Sequence, residues 1–280
     1  MACLLGSAQV ATALPCLASL LSYSAEPLSL RIHDDGSLTT ADRERLTAQL
    51  GPFELVTRRQ ADAAMAEKLA AHPACRSYRE SHPLGLKLLD VPLLAREEAL
   101  AFCDSDVLFL RPFLRLFELP PAAGALLMRD RQNAYSVRSW HLATSRCLAL
   151  PRRANSGILA FRRAAFDLDL AEWFLRDPRF AFAPVWREQT AWALLARRAG
   201  CALLDEAQVR IPAPGEPIGP ETVALHFVSP VRHLLADVAA RAPDRRGEPP
   251  VPLRSALALP CRPWHLLGDE LRRRLGRRGR

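Results

Sequence analysis

The run FCDSDVLFL, residues 102–110, constrains the fold most, because Asp104 and Asp106 interrupt an otherwise apolar stretch. Leu100, Ala101 and Phe102 precede the pair, and Val107, Leu108, Phe109 and Leu110 follow it. A carboxylate moved into a core costs on the order of several kcal/mol unless it is paired or holds a cation. The chain must therefore bring the two aspartates to the end of a strand and face them with positive charge. Carboxylate oxygens two residues apart at a strand end can approach one divalent ion where the backbone turns. The alternative is a solvated turn, and a bare Asp-x-Asp does not separate the two; the apolar flanks favour the ion.

Apolar runs alternate with helical patterns through the first 230 residues, which predicts an α/β sheet. Strands are expected at Ala2 to Leu5, in LSLRIHDDG (28–36), FELVT (53–57), AAGALLMRD (122–130) and NSGILAFRR (155–163), and in the late runs CALLDEAQVRI and TVALHFV. EALAFCDSDVLFL reads as one buried strand with the aspartates at its end. Helices are expected in TADRERLTAQL, capped by Thr39 or Thr40, at 61–72, at 84–95 up to Pro92, and at 187–200, stopped by Gly200. Residues 131–154 have no clean period and read as a long functional loop or broken helix.

The fold class expected is a single α/β, Rossmann-like domain over 1–235, with a mainly parallel twisted sheet. A loosely packed, Pro- and Arg-rich basic extension is expected over 236–280. The apolar start lacks a basic n-region and is broken by Gly6, Ser7, Gln9 and Pro15, so it reads as strand, loop and helix rather than a signal peptide. No run of 18 or more apolar residues predicts a membrane span. Seven cysteines with no CxxC pair predict a reduced, cytoplasmic protein without a disulfide framework or zinc ribbon. Of the formal net charge of +8, six charges sit in LRRRLGRRGR (271–280), so the body is nearly balanced. That tail suits peripheral contact with anionic lipid on the inner membrane face, or a solvated end. Nucleic acid is not expected as a partner, because stacking aromatics are missing there beyond Trp264.

With Asp104-Ser105-Asp106-Val107 after an apolar strand, the chain resembles the nucleotide-sugar-dependent glycosyltransferases of the A-type fold, most closely a retaining, family-8-like group. NSGI (Asn155 to Ile158) resembles that family's Asn-Ala/Ser-Gly strand, REQTAWALL its Asp-Gln helix start, and ALHFVSPVR its late strand with a metal-binding histidine. The pieces occur in the family's order across roughly residues 1–233. The resemblance implies Mn²⁺ or Mg²⁺ held by Asp104, Asp106 and His226, and a nucleotide-diphosphate sugar as donor. It places Lys87, Arg232 and Ser105 against the donor, with Ser7 and Asp35, after the first two strands, near the nucleotide. It places Gln189, Glu188 and Asn155 at the reacting sugar. Ser229 stands where the family has glycine, Arg232 where it has lysine, and Glu188 where it has aspartate.

The acceptor class stays open between a glycan, a lipid-linked sugar and a small molecule, with Tyr135, Trp140 and His141 as sugar contacts in the 131–154 loop. Each residue also has a plainer alternative: His226 as a core histidine, Lys87 as a snorkelling surface lysine, Asp34 and Asp35 as turn formers, Glu188 as a helix-dipole acid. Two rival functions stand beside this one. A non-catalytic nucleotide-sugar-binding or membrane-surface adaptor would keep the fold without turnover. A haloacid-dehalogenase-like phosphatase is opposed by His33, which stands where its nucleophilic aspartate belongs.

Overall fold

The computed structural model describes residues 1–278, with the backbone alone over 274–278, so part of the arginine-rich tail lies outside the described residues. The strands are β1 (Ala2–Leu5), β2 (Arg31–Asp34), β3 (Glu54–Val56), β4 (Ala99–Cys103), β5 (Val107–Phe109), β6 (Phe113–Leu114), β7 (Ala125–Arg129), β8 (Ala154–Arg162), β9 (Cys201–Leu204), β10 (Val209–Arg210), β11 (Ala224–His226), β12 (Val251–Pro252) and β13 (Ser255–Leu257). The helices are α1 (Val10–Tyr23), α2 (Thr40–Leu50), α3 (Arg58–Lys68), α4 (Pro73–Ser81), α5 (Pro83–Leu93), α6 (Ser139–Thr144), α7 (Leu168–Arg176), α8 (Arg187–Ala199), α9 (Leu235–Arg241) and α10 (Pro263–Arg278).

Eight strands form one sheet in the order β13-β9-β7-β8-β4-β1-β2-β3. The pairs β1–β2, β1–β4, β2–β3 and β7–β9 are parallel, while β8 runs antiparallel to both β4 and β7. Period-two alternation sorts the side chains into two layers. In β8, Leu159 and Phe161 join the core under α5, α7 and α8, and Ile158 and Ala160 join the core under α1 and α2. In β7 the same split puts Ala125 and Leu127 on one side and Leu126 and Met128 on the other.

Local chemistry sets where the helices begin and end. Thr39 caps α2 in a reciprocal box with Asp42, and Thr57 does the same for α3 with Gln60. Gly200, at φ 83°, stops α8 and releases the chain into β9.

Two expectations need correction. The apolar run around the aspartates is not one strand: β4 ends at Cys103, the chain turns through Asp104 to Asp106, and β5 leaves the main sheet to pair antiparallel with β11. The turn is where the carboxylates escape the core, and apolarity alone cannot show that the two halves serve different sheets. The 236–280 segment is also more than a loose extension. β13 pairs with β9 at the edge of the main sheet, β12 pairs with β6, and Cys261 and Leu266 enter the larger core cluster. Strands of two and three residues leave no readable period, and prolines are tolerated at a sheet edge.

Leu266 is 1% exposed. Leu266→Ala should destabilise the protein by about 2–5 kcal/mol in denaturant unfolding. An unchanged midpoint would mean that α10 is only loosely attached.

Candidate active site

The carboxyl ends of β1, β2, β4 and β7 lie on one edge of the sheet, where open α/β folds bind ligands. Gly6, Asp35, Asp104 and Asp130 immediately follow those ends or lie one residue beyond. Because β8 runs the other way, its first residues, Asn155, Ser156 and Gly157, reach the same edge. The Asp104 N–H donates to the Gly157 carbonyl at 2.7 Å, which pins the turn to β8.

His226 arrives from the opposite side. It ends β11, pairs with Val107 and is followed by Phe227, whose N–H donates to the Asp106 carbonyl at 2.8 Å. Its Nε2 lies 3.1 Å from Asp106 Oδ1 and 3.6 Å from Asp104 Oδ2. One ligand atom from each of the three residues lies within 4.8 Å of the others. Neighbouring ligands on an octahedral shell of radius ~2.1 Å stand about 3 Å apart, so two carboxylates and one imidazole at this spacing fit a single divalent ion. The approach is possible because residue 157 is glycine: a Cβ there would sit 2.2 Å from His226 Cε1 and 2.4 Å from Nδ1.

The cluster is electrically dense. Lys87, on the buried face of α5, places Nζ 3.0 Å from Asp104 Oδ1, 3.2 Å from Ser156 Oγ and 3.4 Å from Glu188 Oε1. Ser156 Oγ also bridges to Glu188 Oε2 at 3.1 Å. On the other flank the Arg232 guanidinium donates to Asp106 Oδ2 through Nη2 at 2.6 Å and Nε at 3.2 Å. Burial works to raise the Asp106 carboxyl, but His226 and then Arg232 outweigh it and hold it at about 2. Burial prevails at Asp104, Glu188 and Asp130, whose carboxyls are raised against the pull of Lys87 on the first two and of Asn155 on the third. At Lys87 and His226 burial works to lower the pKa, and the facing carboxylates reverse it: Asp104 and Glu188 raise Lys87, and Asp106 raises His226.

Beside this group lies a second one, built on Asp130. Its Oδ2 accepts the Asn155 amide at 2.8 Å and the Gln189 amide at 3.5 Å, and Gln189 also donates to the Ala134 carbonyl at 2.9 Å. Gln189 and Glu188 stand in the first turn of α8, so one helix end serves both groups. At the far end of the edge, Asp35 accepts Ser37 N–H and Oγ, while Ser7 donates its hydroxyl to Asp42 at 2.6 Å. Gly6 lies so close to Asp35 that a Cβ would come within 2.1 Å of its Oδ2.

The structure thus assembles Asp104, Asp106, His226, Arg232, Lys87, Glu188 and Ser156 in one group, with Ser105 in the turn. Asn155 and Gln189 join Asp130, and Ser7 and Asp35 form a separate corner. Lys87 is not a snorkelling surface residue, since its side chain is 2% exposed and faces carboxylates. Asp34 makes the turn, accepting Gly36 and Leu38 N–H. Of the three expected sugar contacts, only Trp140 is exposed. Tyr135 is buried, donating its hydroxyl to the Pro151 carbonyl, and His141 is buried, accepting Arg138 N–H. Sequence reasoning missed Asp130 and Ser156. Asp130 carries the same signal as Asp104, an acid directly after an apolar strand, but it stands alone.

No protein-family model matches the chain, and no curated protein matches it. Solved structures do resemble it. Mouse xyloside xylosyltransferase 1 in its apo form superposes with TM-score 0.55 at 14% identity, covering 82% of this chain and 97% of that one. The bifunctional glycosyltransferase WbbM in its apo form gives 0.57 at 10% identity, over 86% of this chain and 49% of that one. The glycosyltransferase GlyE of Streptococcus pneumoniae gives 0.51 at 11% identity, over 85% and 60%. The chain thus spans about half the length of WbbM and three fifths of GlyE. The fold is the A-type glycosyltransferase fold, a mixed α/β domain with a large, mainly parallel sheet.

Removing Lys87 would leave Asp104 and Glu188 facing each other without a counter-charge. Lys87→Met should cost about 3–5 kcal/mol of stability at neutral pH. Glu188 is already raised from 4.5, so its folded form favours the proton, and its contribution to stability is lost as pH rises through the folded pKa. The variant should therefore unfold at higher denaturant near pH ~5 than near pH ~8, a trend opposite in sign to that of a salt-bridged carboxylate. Equal midpoints at both values would show that no buried carboxylate depends on Lys87.

Proposed function

We propose that the chain is a metal-dependent glycosyltransferase that moves a sugar from a nucleotide-diphosphate donor to an acceptor hydroxyl, with retention at the anomeric carbon. The observation that carries this reading is the convergence of Asp104, Asp106 and His226 at the carboxyl edge of an A-type sheet. A divalent ion held by these three residues, manganese in preference to magnesium because of the imidazole, would supply Lewis-acid charge toward the donor diphosphate.

The chain's own residues divide the remaining work. Arg232 spends Nε and Nη2 on Asp106, which leaves Nη1 for a phosphate oxygen, and its side chain is 48% exposed. Lys87 and Glu188 are positioning residues that hold the Asp104 carboxylate and the Ser156 hydroxyl in place. The corner of Gly6, Ser7 and Asp35 admits the nucleoside close to the backbone. Gln189 has its amide nitrogen committed to Asp130 and Ala134, so its carbonyl oxygen, without a partner among the described residues, steadies positive charge on one face of the sugar. Asn155 orients Asp130 beside it. In the transfer, the acceptor oxygen bonds to the anomeric carbon as the bond to the diphosphate oxygen breaks. The acceptor's proton passes to the departing phosphate on the same face.

Calorimetric titration of UDP should show binding that requires Mn²⁺ and disappears in Asp106→Ala. With a turned-over donor, the new linkage should keep the donor's anomeric configuration by NMR. No binding of UDP, GDP or any other nucleoside diphosphate, with either metal, would sink the transferase reading and leave a non-catalytic module.

Peripheral attachment to an anionic membrane face belongs to the same reading. It is supported by α10, which exposes Trp264, Leu267 and Leu271 at helical spacing beside arginines. Among the described residues no helix is long and apolar enough to cross a membrane. Vesicles rich in phosphatidylglycerol should co-sediment the protein at low salt, and phosphatidylcholine vesicles should not; equal behaviour of the two would remove the lipid contact.

A further inference from the structure

A cavity of about 490 Å³ opens one residue beyond Asp130, and its chemistry differs from that of the carboxylate cluster. Arg131, Arg152, Arg153, Arg272 and Arg273 line it, against a single carboxylate, Asp269. Those arginines come from the segment after β7, the entry to β8 and α10. Like charges gathered from three separated segments repel, and the fold compensates only in part. Arg131 pairs with Glu216 at 2.7 Å, Arg153 with Glu206 at 2.5 Å and Arg272 with Asp269 at 2.6 Å. Arg152 has no carboxylate partner among the described residues and stays exposed.

The backbone here is also strained. Arg153 has φ 60°, one of two described non-glycine residues in the left-handed region, which costs on the order of 1 kcal/mol or more. It is held there by its N–H donating to Asn133 Oδ1 at 2.9 Å and its Nε donating to the Asp130 carbonyl at 2.6 Å. Asn133 is in turn fixed by Asp269, which accepts its N–H at 3.0 Å and its amide at 2.7 Å. The strained Arg153 and the unpaired Arg152 thus line the same cavity. Guanidinium forks match phosphate oxygens in pairs.

We propose that this cavity binds the anionic group of the acceptor, a phosphate carried on the sugar that receives the transfer. The inference rests on the glycosyltransferase reading and narrows its acceptor to a phosphorylated one. The wall shared with Asp130, whose carbonyl holds Arg153 and whose carboxylate holds Asn155 and Gln189, joins the cavity to the group assigned to the reacting sugar. A phosphate in the cavity would anchor the acceptor beside the donor rather than compete for the donor's site.

The test uses the full chain and calorimetric titration with glucose 6-phosphate, glucose and inorganic phosphate, without metal or nucleotide. Glucose 6-phosphate should bind, glucose should not, and inorganic phosphate should bind at least tenfold more weakly than the sugar phosphate. Arg152→Glu should abolish glucose 6-phosphate binding, Arg152→Lys should retain part of it, and Asp106→Ala should leave it within twofold. UDP binding with Mn²⁺ should survive Arg152→Glu. The proposal is overturned if glucose 6-phosphate binding survives Arg152→Glu, is lost in Asp106→Ala or is matched by glucose, or if inorganic phosphate binds equally well, which would mark a free-anion site. Failure of every nucleoside diphosphate to bind the wild type sinks the transferase reading and the acceptor role with it, leaving only a sugar-phosphate site, while failure of glucose 6-phosphate beside normal UDP binding counts against the acceptor assignment alone.

Discussion

The structure depends on how two adjacent carboxylates are neutralised at the edge of an apolar core. Asp104 and Asp106 each have a cation of their own, Lys87 for the first and Arg232 for the second. His226 stands between them and touches both. Those partners come from α5, the segment after β11, and β11 itself, so elements more than a hundred residues apart are registered by one patch of charge. A buried group that loses its partner is left with its desolvation cost. The surrounding packing is therefore as closely specified as the charges. Gly157 exists in its present form because His226 occupies the space of its missing Cβ.

The same edge carries two polar regions of different chemistry. Around the turn, carboxylates and an imidazole gather ligand atoms suited to a cation. Beyond Asp130, arginines gather donors suited to an anion. Asp130 belongs to both regions, through its side chain to Asn155 and Gln189 and through its carbonyl to Arg153. A transferase needs two substrates held side by side with their reacting atoms in line. On the proposed reading, the first region would take the ion and the donor diphosphate, and the second the anionic group of the acceptor.

Much of the candidate site was legible in the chain, for reasons particular to each residue. The aspartates at 104 and 106 stood out because their flanks were apolar, whereas His226 was marked only by the likeness of ALHFVSPVR to a family strand, since a lone histidine on an apolar strand reads equally as a core residue. Lys87 stood out as one of two lysines in the chain, on a helix otherwise apolar, yet its partners could not be read: Asp104 is 17 residues away and Glu188 101 residues away in sequence. Tyr135 and His141 were misplaced because a segment without period gives no account of which side chains turn inward. The basic cavity was invisible because its arginines are scattered through a chain with 38 basic residues, nearly all of them arginine.

By itself the sequence determined the alternation of strand and helix, the helix start at Thr39 or Thr40, the break at Gly200 and the place where carboxylates had to leave the core. These follow from the chemistry of neighbouring residues, since side-chain period and capping act over a few positions. Only the tertiary structure decided that β5 pairs with β11, that β8 runs antiparallel and so delivers Asn155, Ser156 and Gly157 to the carboxyl edge, and that β13 and α10 complete the domain. Those choices depend on long-range pairing, in which backbone hydrogen bonds and buried charge are satisfied only once distant segments meet.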